Sequence, residues 1–436
     1  YNCLYISSLK GGVKELNLTS GKLRDLLLKD ENNESIYCRT LLVYTDNELW
    51  IGTESGVYIY NLRTEKYTHL RSSEYDPYSL SDNAIYSFCK DREDGIWIGS
   101  YFGGVNYYPR SYTYFEKYYP KGIENSLHGK RVREFCRDSQ GILWIGTEDG
   151  GLNRFNLKTK DFSFFAPSAG FTNIHGLCLV DDKLWVGTFS KGLKVIDTRS
   201  GVVLKTYQKN DSPRSLIDNS IFAICKTATG DIYLGTMFGL VRYNKQSDDF
   251  DRIPELNGKF IYDIKEDSAG NIWLATYANG VYCYNVNDRK WKNYVHDDKD
   301  NTSLPYNKVS SVFEDSHRQI WLTTQGGGFC IFHPESETFT SYNSTNGLPS
   351  DVVYQIVEDK EGQLWLTTNN GLVCFQPNTE AMKVYTTANG LLGDQFNYRS
   401  SFEDENGMIY FGGIDGFIAF NPKDFSENKN LPTVVI

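Results

Sequence analysis

Several absences narrow what this 436-residue chain can be. No apolar run approaches the roughly 18 residues that a membrane-spanning helix needs. No charged segment followed by an apolar core reads as a secretory leader. Positive charge is in deficit: 45 lysines and arginines face 55 acidic residues, giving a net charge of −10. That balance excludes nucleic acid as the main partner, because phosphate binding requires a basic surface. Six histidines are scattered without a pair at metal-ligand spacing. There is no GxSxG, no Walker-type loop and no dinucleotide fingerprint. No metal, cofactor or catalytic residue is therefore assigned. Nine cysteines occur without a CxxC pair, about one per repeat and inside strand-like runs. Equivalent positions of neighbouring repeats should lie too far apart to bridge, so free buried thiols are expected.

What the chain does have is repetition. An apolar strand with a central Trp or Tyr recurs as Leu4-Tyr5-Ile6, Leu49-Trp50-Ile51, Ile96-Trp97-Ile98, Leu143-Trp144-Ile145 and Leu184-Trp185-Val186. It continues as Ile232-Tyr233-Leu234, Ile272-Trp273-Leu274, Ile320-Trp321-Leu322, Leu364-Trp365-Leu366 and Ile409-Tyr410-Phe411. Nearly every copy leads into Gly or Thr, a short polar turn, Gly, and a second apolar strand. The ten copies, lettered A to J, are 40–48 residues apart. That period, with four strand-like runs per repeat, is the signature of β-propeller blades. The fold class is therefore all-β, a propeller architecture with blades of about 45 residues in ten repeats. The chain opens inside one such run and closes inside another, Thr433-Val434-Val435-Ile436, so it reads as a piece of a longer protein.

In an up-and-down blade of strands a to d, the b–c turns and d-to-a links share one face, and the a–b and c–d turns share the other. The a–b turns resemble one another (Gln140-Gly141, Ala269-Gly270, Glu361-Gly362, Asn406-Gly407), whereas the b–c turns vary. Variable loops on a rigid scaffold carry specificity, which makes the b–c side the candidate binding face. Asp91, Asp138, Asp267, Asp315 and Asp359 each stand six residues before a Trp. Their recurrence at a hairpin turn assigns them a structural rather than a chemical role. Blade J shows strands a, b and c but no d strand, and Phe115–Tyr119, ahead of blade D, is expected to cross over and supply it.

The run Trp144-Ile145-Gly146-Thr147-Glu148-Asp149-Gly150-Gly151-Leu152-Asn153 resembles the two-component-regulator propeller repeat. The segments Asn389-Gly390-Leu391 to Phe396-Asn397 and Tyr410-Phe411-Gly412-Gly413 to Phe420-Asn421-Pro422 resemble the last blade of that family. Leu431–Ile436 resembles the start of the β-sandwich that follows it. Tyr101–Tyr108 resembles the junction between two rings, and seven of the Trp/Tyr copies come after it. The resemblance implies the last three blades of a truncated first propeller in 1–110, a complete seven-bladed propeller in 111–424, and the beginning of a truncated sandwich in 425–436. A single ring of ten blades is the alternative.

The resemblance further implies the periplasmic sensor region of a Bacteroidetes hybrid two-component system, part of the ectodomain of an inner-membrane protein. Such a region binds an oligosaccharide derived from a glycan and signals as a homodimer to a histidine kinase. The output is control of polysaccharide-utilisation genes. The membrane and the kinase chemistry enter only through segments outside this chain, and the region itself is expected not to be an enzyme. Free thiols fit an oxidising periplasm poorly unless they are buried. Sugars are held by aromatic faces and planar polar side chains. On that basis the ligand-binding candidates are Lys130, Arg131, Arg133, His175, Phe189, Phe238, Tyr277, Tyr306, Gln325, Asn369, Gln395 and Asn397. The basic cluster Lys130, Arg131 and Arg133 suits a uronate or sulfate, or else pairs with Glu134 or Glu148 on a solvated rim. A protein-interaction propeller and a propeller lyase or glycosidase are the competing functions.

Overall fold

The computed structural model describes residues 2–109 and 115–425, and these form two compact units, the first holding 2–109 and the second 115–425. The expected sandwich start falls almost wholly in 426–436 and lies outside the described residues.

The second unit contains seven four-stranded antiparallel sheets. Blade D is typical, with strands Val132–Arg137, Ile142–Thr147, Gly151–Asn156 and Phe162–Phe164. Blades E to I also supply all four of their strands. Blade J supplies three, Phe396–Glu403, Ile409–Gly413 and Phe417–Phe420, and its fourth is Glu116–Tyr118. Glu116 pairs with Ala419, Lys117 with Ile418 and Tyr118 with Phe417. The crossover expected from the sequence is thus present. The inner strands pack each against the next around the unit, and Phe396–Glu403 packs back on Val132–Arg137, so the ring is closed.

The repeated residues explain the repeated geometry. In the second unit each blade's Trp or Tyr packs against its neighbour. Trp144 meets Ile174, Leu177 and Leu184 of blade E. Trp321 meets Val353 and Ile356 of blade I. Tyr410 of blade J meets Val132 and Phe135 of blade D, which completes the circle. In blades D, E, F and J a Gly two residues after the aromatic gives the neighbouring blade room. A Cβ on Gly146 would lie 2.6 Å from Ile174 Cγ2, and one on Gly235 would lie 2.8 Å from Ile261 Cγ2.

The aspartates before the tryptophans are turn caps. Asp138 Oδ1 accepts the N–H groups of Gln140 and Ile142, and its Oδ2 accepts Trp144 Nε1–H at 2.8 Å. Asp267, Asp315 and Asp359 repeat this pattern with Trp273, Trp321 and Trp365 at 2.8–2.9 Å. The Thr that ends strand b fastens the b–c turn. Thr147 Oγ1 donates to the Gly151 carbonyl and accepts the Gly150 N–H, both at 3.0 Å.

The first unit holds three sheets: Cys3–Ser8 to Leu23–Leu27, the four strands Cys38–Thr45 to Tyr67–Leu70, and Ile85–Lys90 to Val105–Tyr108. All nine cysteines are free. The expectation of burial holds for Cys38, Cys283, Cys330 and Cys374 but fails for Cys89, which is exposed. Cys89 pairs across the sheet with Trp97, which is itself 46% exposed where Trp50 is 1% exposed. That side of blade C therefore faces solvent.

Candidate functional site

One hydrogen bond recurs in every blade of the ring. The N–H of a b–c turn residue donates to the carbonyl of a residue just before strand a or at its start. The pairs are Glu148 to Arg131, Phe189 to Asn173, Met237 to Ser220 and Tyr277 to Phe260, at 2.9–3.2 Å. Gln325 to Lys308, Asn369 to Val352 and Ile414 to Gln395 follow at 2.9–3.4 Å. Close after the acceptor, every inner strand carries a β-bulge. The extra residue is Arg133, His175, Phe222, Tyr262, Ser310 and Tyr354 in blades D to I. In blade J the irregularity lengthens to Asn397–Ser400, with Arg399 in the left-handed region at φ 56°. Bulges re-aim side chains at functional sites. Together these positions form the mouth of the ring.

The mouth is asymmetric. Blades E to G present an aromatic arc. His175 lies 4.6 Å from Phe222, Phe222 lies 4.5 Å from Phe260, and Phe260 stacks on Tyr262 and on Tyr277 at 4.8 and 5.3 Å. Lys308 Nζ sits 4.3 Å above the Tyr277 ring. A cleft of about 260 Å3 opens here, lined by Glu148, Asn173, His175, Phe189 and Phe222 together with Met237, Phe260, Tyr262 and Tyr398.

Beneath the arc lies a buried ionic network. Arg399 Nε donates to Glu134 Oε2 at 3.1 Å, and its Nη1 pairs with Asp263. Asp263 also accepts the N–H groups of Ile264 and Val312 at 2.8 and 3.1 Å. One guanidinium thus serves two carboxylates. Burial pushes the Glu134 carboxyl up to about 7 against the pull of Arg399. The two carboxylates hold Arg399 above the ordinary guanidinium range despite burial. Arg133 is fully buried beside this network, and burial lowers its pKa. Its Nη1 donates to Asn397 Oδ1 at 3.3 Å and lies 3.7 Å from Glu148 Oε1, with the Tyr398 ring 3.3 Å from the guanidinium carbon.

Of the residues singled out in the sequence, His175 and Phe189 line the cleft. Arg133 and Asn397 contact the cleft-lining Glu148, and Tyr277 extends the arc. Lys130, Arg131, Gln325, Asn369 and Gln395 belong to the surrounding rim, and Lys130 Nζ lies 3.8 Å from Asp415. Phe238 is exposed one residue beyond Met237, which holds the repeated position. Tyr306 is exposed on the rim, where its ring lies against Gly326. Sequence reading missed Asn173, Phe222, Phe260, Tyr262 and Tyr398, all of which line the cleft. Their signal was positional: each falls just before strand a or within its opening residues.

A larger groove of about 570 Å3 lies between blades E and F on the other side of the ring. Three of the five cations that line it, Lys205, Lys226 and Arg242, are paired with Asp248, Asp181 and Asp251. No cluster of three or more metal-ligating side chains occurs among the described residues. Among those residues no helix is long and apolar enough to cross a membrane.

The two-component regulator propeller family matches residues 79–102, 126–149, 255–278 and 347–370. Histidine kinase P4 of Formosa agariphila is 30% identical over 281 residues, which is 61% of this chain and 20% of the kinase. The extracellular domain of the hybrid two-component system BT3049 of B. thetaiotaomicron superposes with a TM-score of 0.75 at 25% identity, over 97% of this chain and 60% of that one. Virginiamycin B lyase of Staphylococcus aureus matches 70% of this chain and 98% of its own at 14% identity and TM-score 0.54, a likeness of fold alone. The chain therefore spans a fifth of the kinase and three fifths of the BT3049 domain. It is a β-propeller protein containing two-component-regulator propeller repeats, homologous to the extracellular domain of a hybrid two-component system and to a Bacteroidetes histidine kinase.

Proposed function

We propose that this chain is the ligand-sensing part of a hybrid two-component histidine kinase, placed in the periplasm, and that the mouth of its second unit binds an oligosaccharide released from a glycan. The observation that carries this reading is the aromatic arc of blades E to G beside the polar rim of blades H to J. Apolar sugar faces stack on rings such as Phe189 and Tyr277, and sugar hydroxyls need the amides and charges that Asn173, Glu148 and Gln325 offer. Binding at the mouth biases a signal passed, in a homodimer, through segments outside this chain to the kinase, with polysaccharide-utilisation genes as the output. The region works without catalysis. The buried carboxylates of the pore, Glu134 and Asp263, are both engaged by Arg399 and are not free to serve as an acid–base pair.

Calorimetric titration of the receptor's whole extracellular region with neutral and acidic oligosaccharides tests this. Micromolar binding of one class, weakened about tenfold in Phe189→Ala or Tyr277→Ala by loss of a stacking wall, is the expected result. A folded protein that binds no sugar overturns the reading and leaves a protein-interaction propeller in its place.

A further inference from the structure

Buried polar side-chain atoms without a hydrogen-bond partner are concentrated at the mouth. Arg133 Nε and Nη2, His175 Nδ1, Ser310 Oγ and Gln325 Nε2 all belong to the repeated mouth positions described above. Unsatisfied buried groups are destabilising and therefore rare, and a cluster of them in one place marks a site that something else completes.

Arg133 is the most informative. Nη1 is occupied by Asn397, and one face of the guanidinium is covered by Tyr398. The remaining edge, Nε–H with Nη2–H, meets no acceptor among the described residues although the side chain is fully buried. That edge is the fork by which guanidinium grips a carboxylate with two parallel hydrogen bonds. Arg214 uses the same two atoms on Asp249 in this protein, at 2.5 and 2.7 Å. Glu148 and Tyr398, which touch Arg133, also line the cleft, so the unpartnered fork lies behind the cleft wall and meets a ligand once one of these two side chains gives way.

His175 supplies a complementary group. Its Nε2 lies 2.7 Å from Asn173 Oδ1, an acceptor, which assigns the ring proton to Nε2. Burial and the nearby Arg133 hold the imidazole neutral. Nδ1 is then a buried, unpartnered acceptor on a side chain that lines the cleft, suited to a hydroxyl donor.

We propose that the mouth selects an oligosaccharide carrying a uronic acid, whose carboxylate takes the Arg133 fork while a ring hydroxyl donates to His175 Nδ1. This rests on the sugar-binding reading above and narrows it to a substrate class. The carboxylate is planar, as the fork is, and carries no proton at neutral pH.

The test is titration of the whole extracellular region with trisaccharides of galacturonic and glucuronic acid, their neutral galactose and glucose counterparts, and a sulfated galactose trisaccharide. A uronate should bind at least about tenfold more tightly than its neutral counterpart. Arg133→Lys keeps the charge but removes the fork, and it should abolish that preference in a protein whose circular dichroism spectrum is unchanged. If Arg133→Lys does not fold, the uronate-to-neutral ratio in the unaltered protein decides alone. Neutral sugars binding as well as uronates would overturn this inference and leave the sensor reading standing, with water completing the fork. Preference for the sulfated sugar would likewise overturn the carboxylate assignment. Binding of no sugar at all would remove both.

Discussion

Asp315 shows how much one side chain does in this fold. Its carboxylate accepts two backbone N–H groups, from His317 and Gln319, and the Trp321 indole N–H. Asp315→Ala strands these donors at the edge of a buried Trp and should cost about 2–3 kcal/mol, read as a lower denaturant midpoint with unchanged slope. Glu134 gives a pH signature. Its folded pKa, near 7, lies above the ordinary 4.5. Between those values the folded state holds a proton that the unfolded state releases, so stability falls as pH rises through this window. The cause is burial of the carboxyl, which Arg399 offsets only in part. Glu134→Gln should flatten the slope of about 1–3 kcal/mol between pH 4.5 and 7, as measured by unfolding at a series of pH values. At this scale the sequence is legible where a role repeats locally. The spacing from Asp to Trp announces a turn cap. Arg133 was legible as a cation but not as a buried one, because its partners Asn397 and Tyr398 lie more than 260 residues away and meet it only when the ring closes.

The closing strand is the element on which the ring depends. Phe115, which precedes it, is buried against Tyr385, Phe420 and Phe425, and Tyr118 within it stacks on Phe417 at 4.6 Å. Phe115→Ala should cost about 3–5 kcal/mol, and hydrogen exchange should show blade J losing protection before blades F to H. Equal loss around the ring would contradict a localised closure. This crossover was legible because blade J lacked a fourth apolar run and an unassigned one stood ahead of blade D. The bulges were not legible. The apolar pattern of the inner strands continues through Val132 and Phe135 or Ile261 and Ile264 with no mark of the extra residue. Only pairing with the neighbouring strand shows that Arg133 and Tyr262 have been turned toward the mouth.

At the scale of the whole molecule, the two units differ in completeness of packing. In the second, every sheet has a neighbour on both sides, and the first strand, Glu116–Tyr118, pairs with the last, Phe417–Phe420. In the first, Trp97, Val105, Tyr107 and Tyr108 of one outer sheet and Leu4 and Leu23 of the other are all more than 40% exposed. Exposed apolar edges of this kind stabilise little and invite association. Urea should therefore unfold this chain in two transitions, with amides of Val105–Tyr108 exchanging in the first and those of Val132–Arg137 in the second; a single coincident transition would contradict that picture. The mouth belongs to the closed unit, where seven rigid blades hold variable residues at three repeated positions. The measurement that bears most directly on this account is a crystal structure of the extracellular region grown with a bound oligosaccharide. Sugar density is expected in the cleft, stacked on the aromatic arc near Phe189 and Tyr277. Density at another surface, with the cleft empty at saturating ligand, would contradict it.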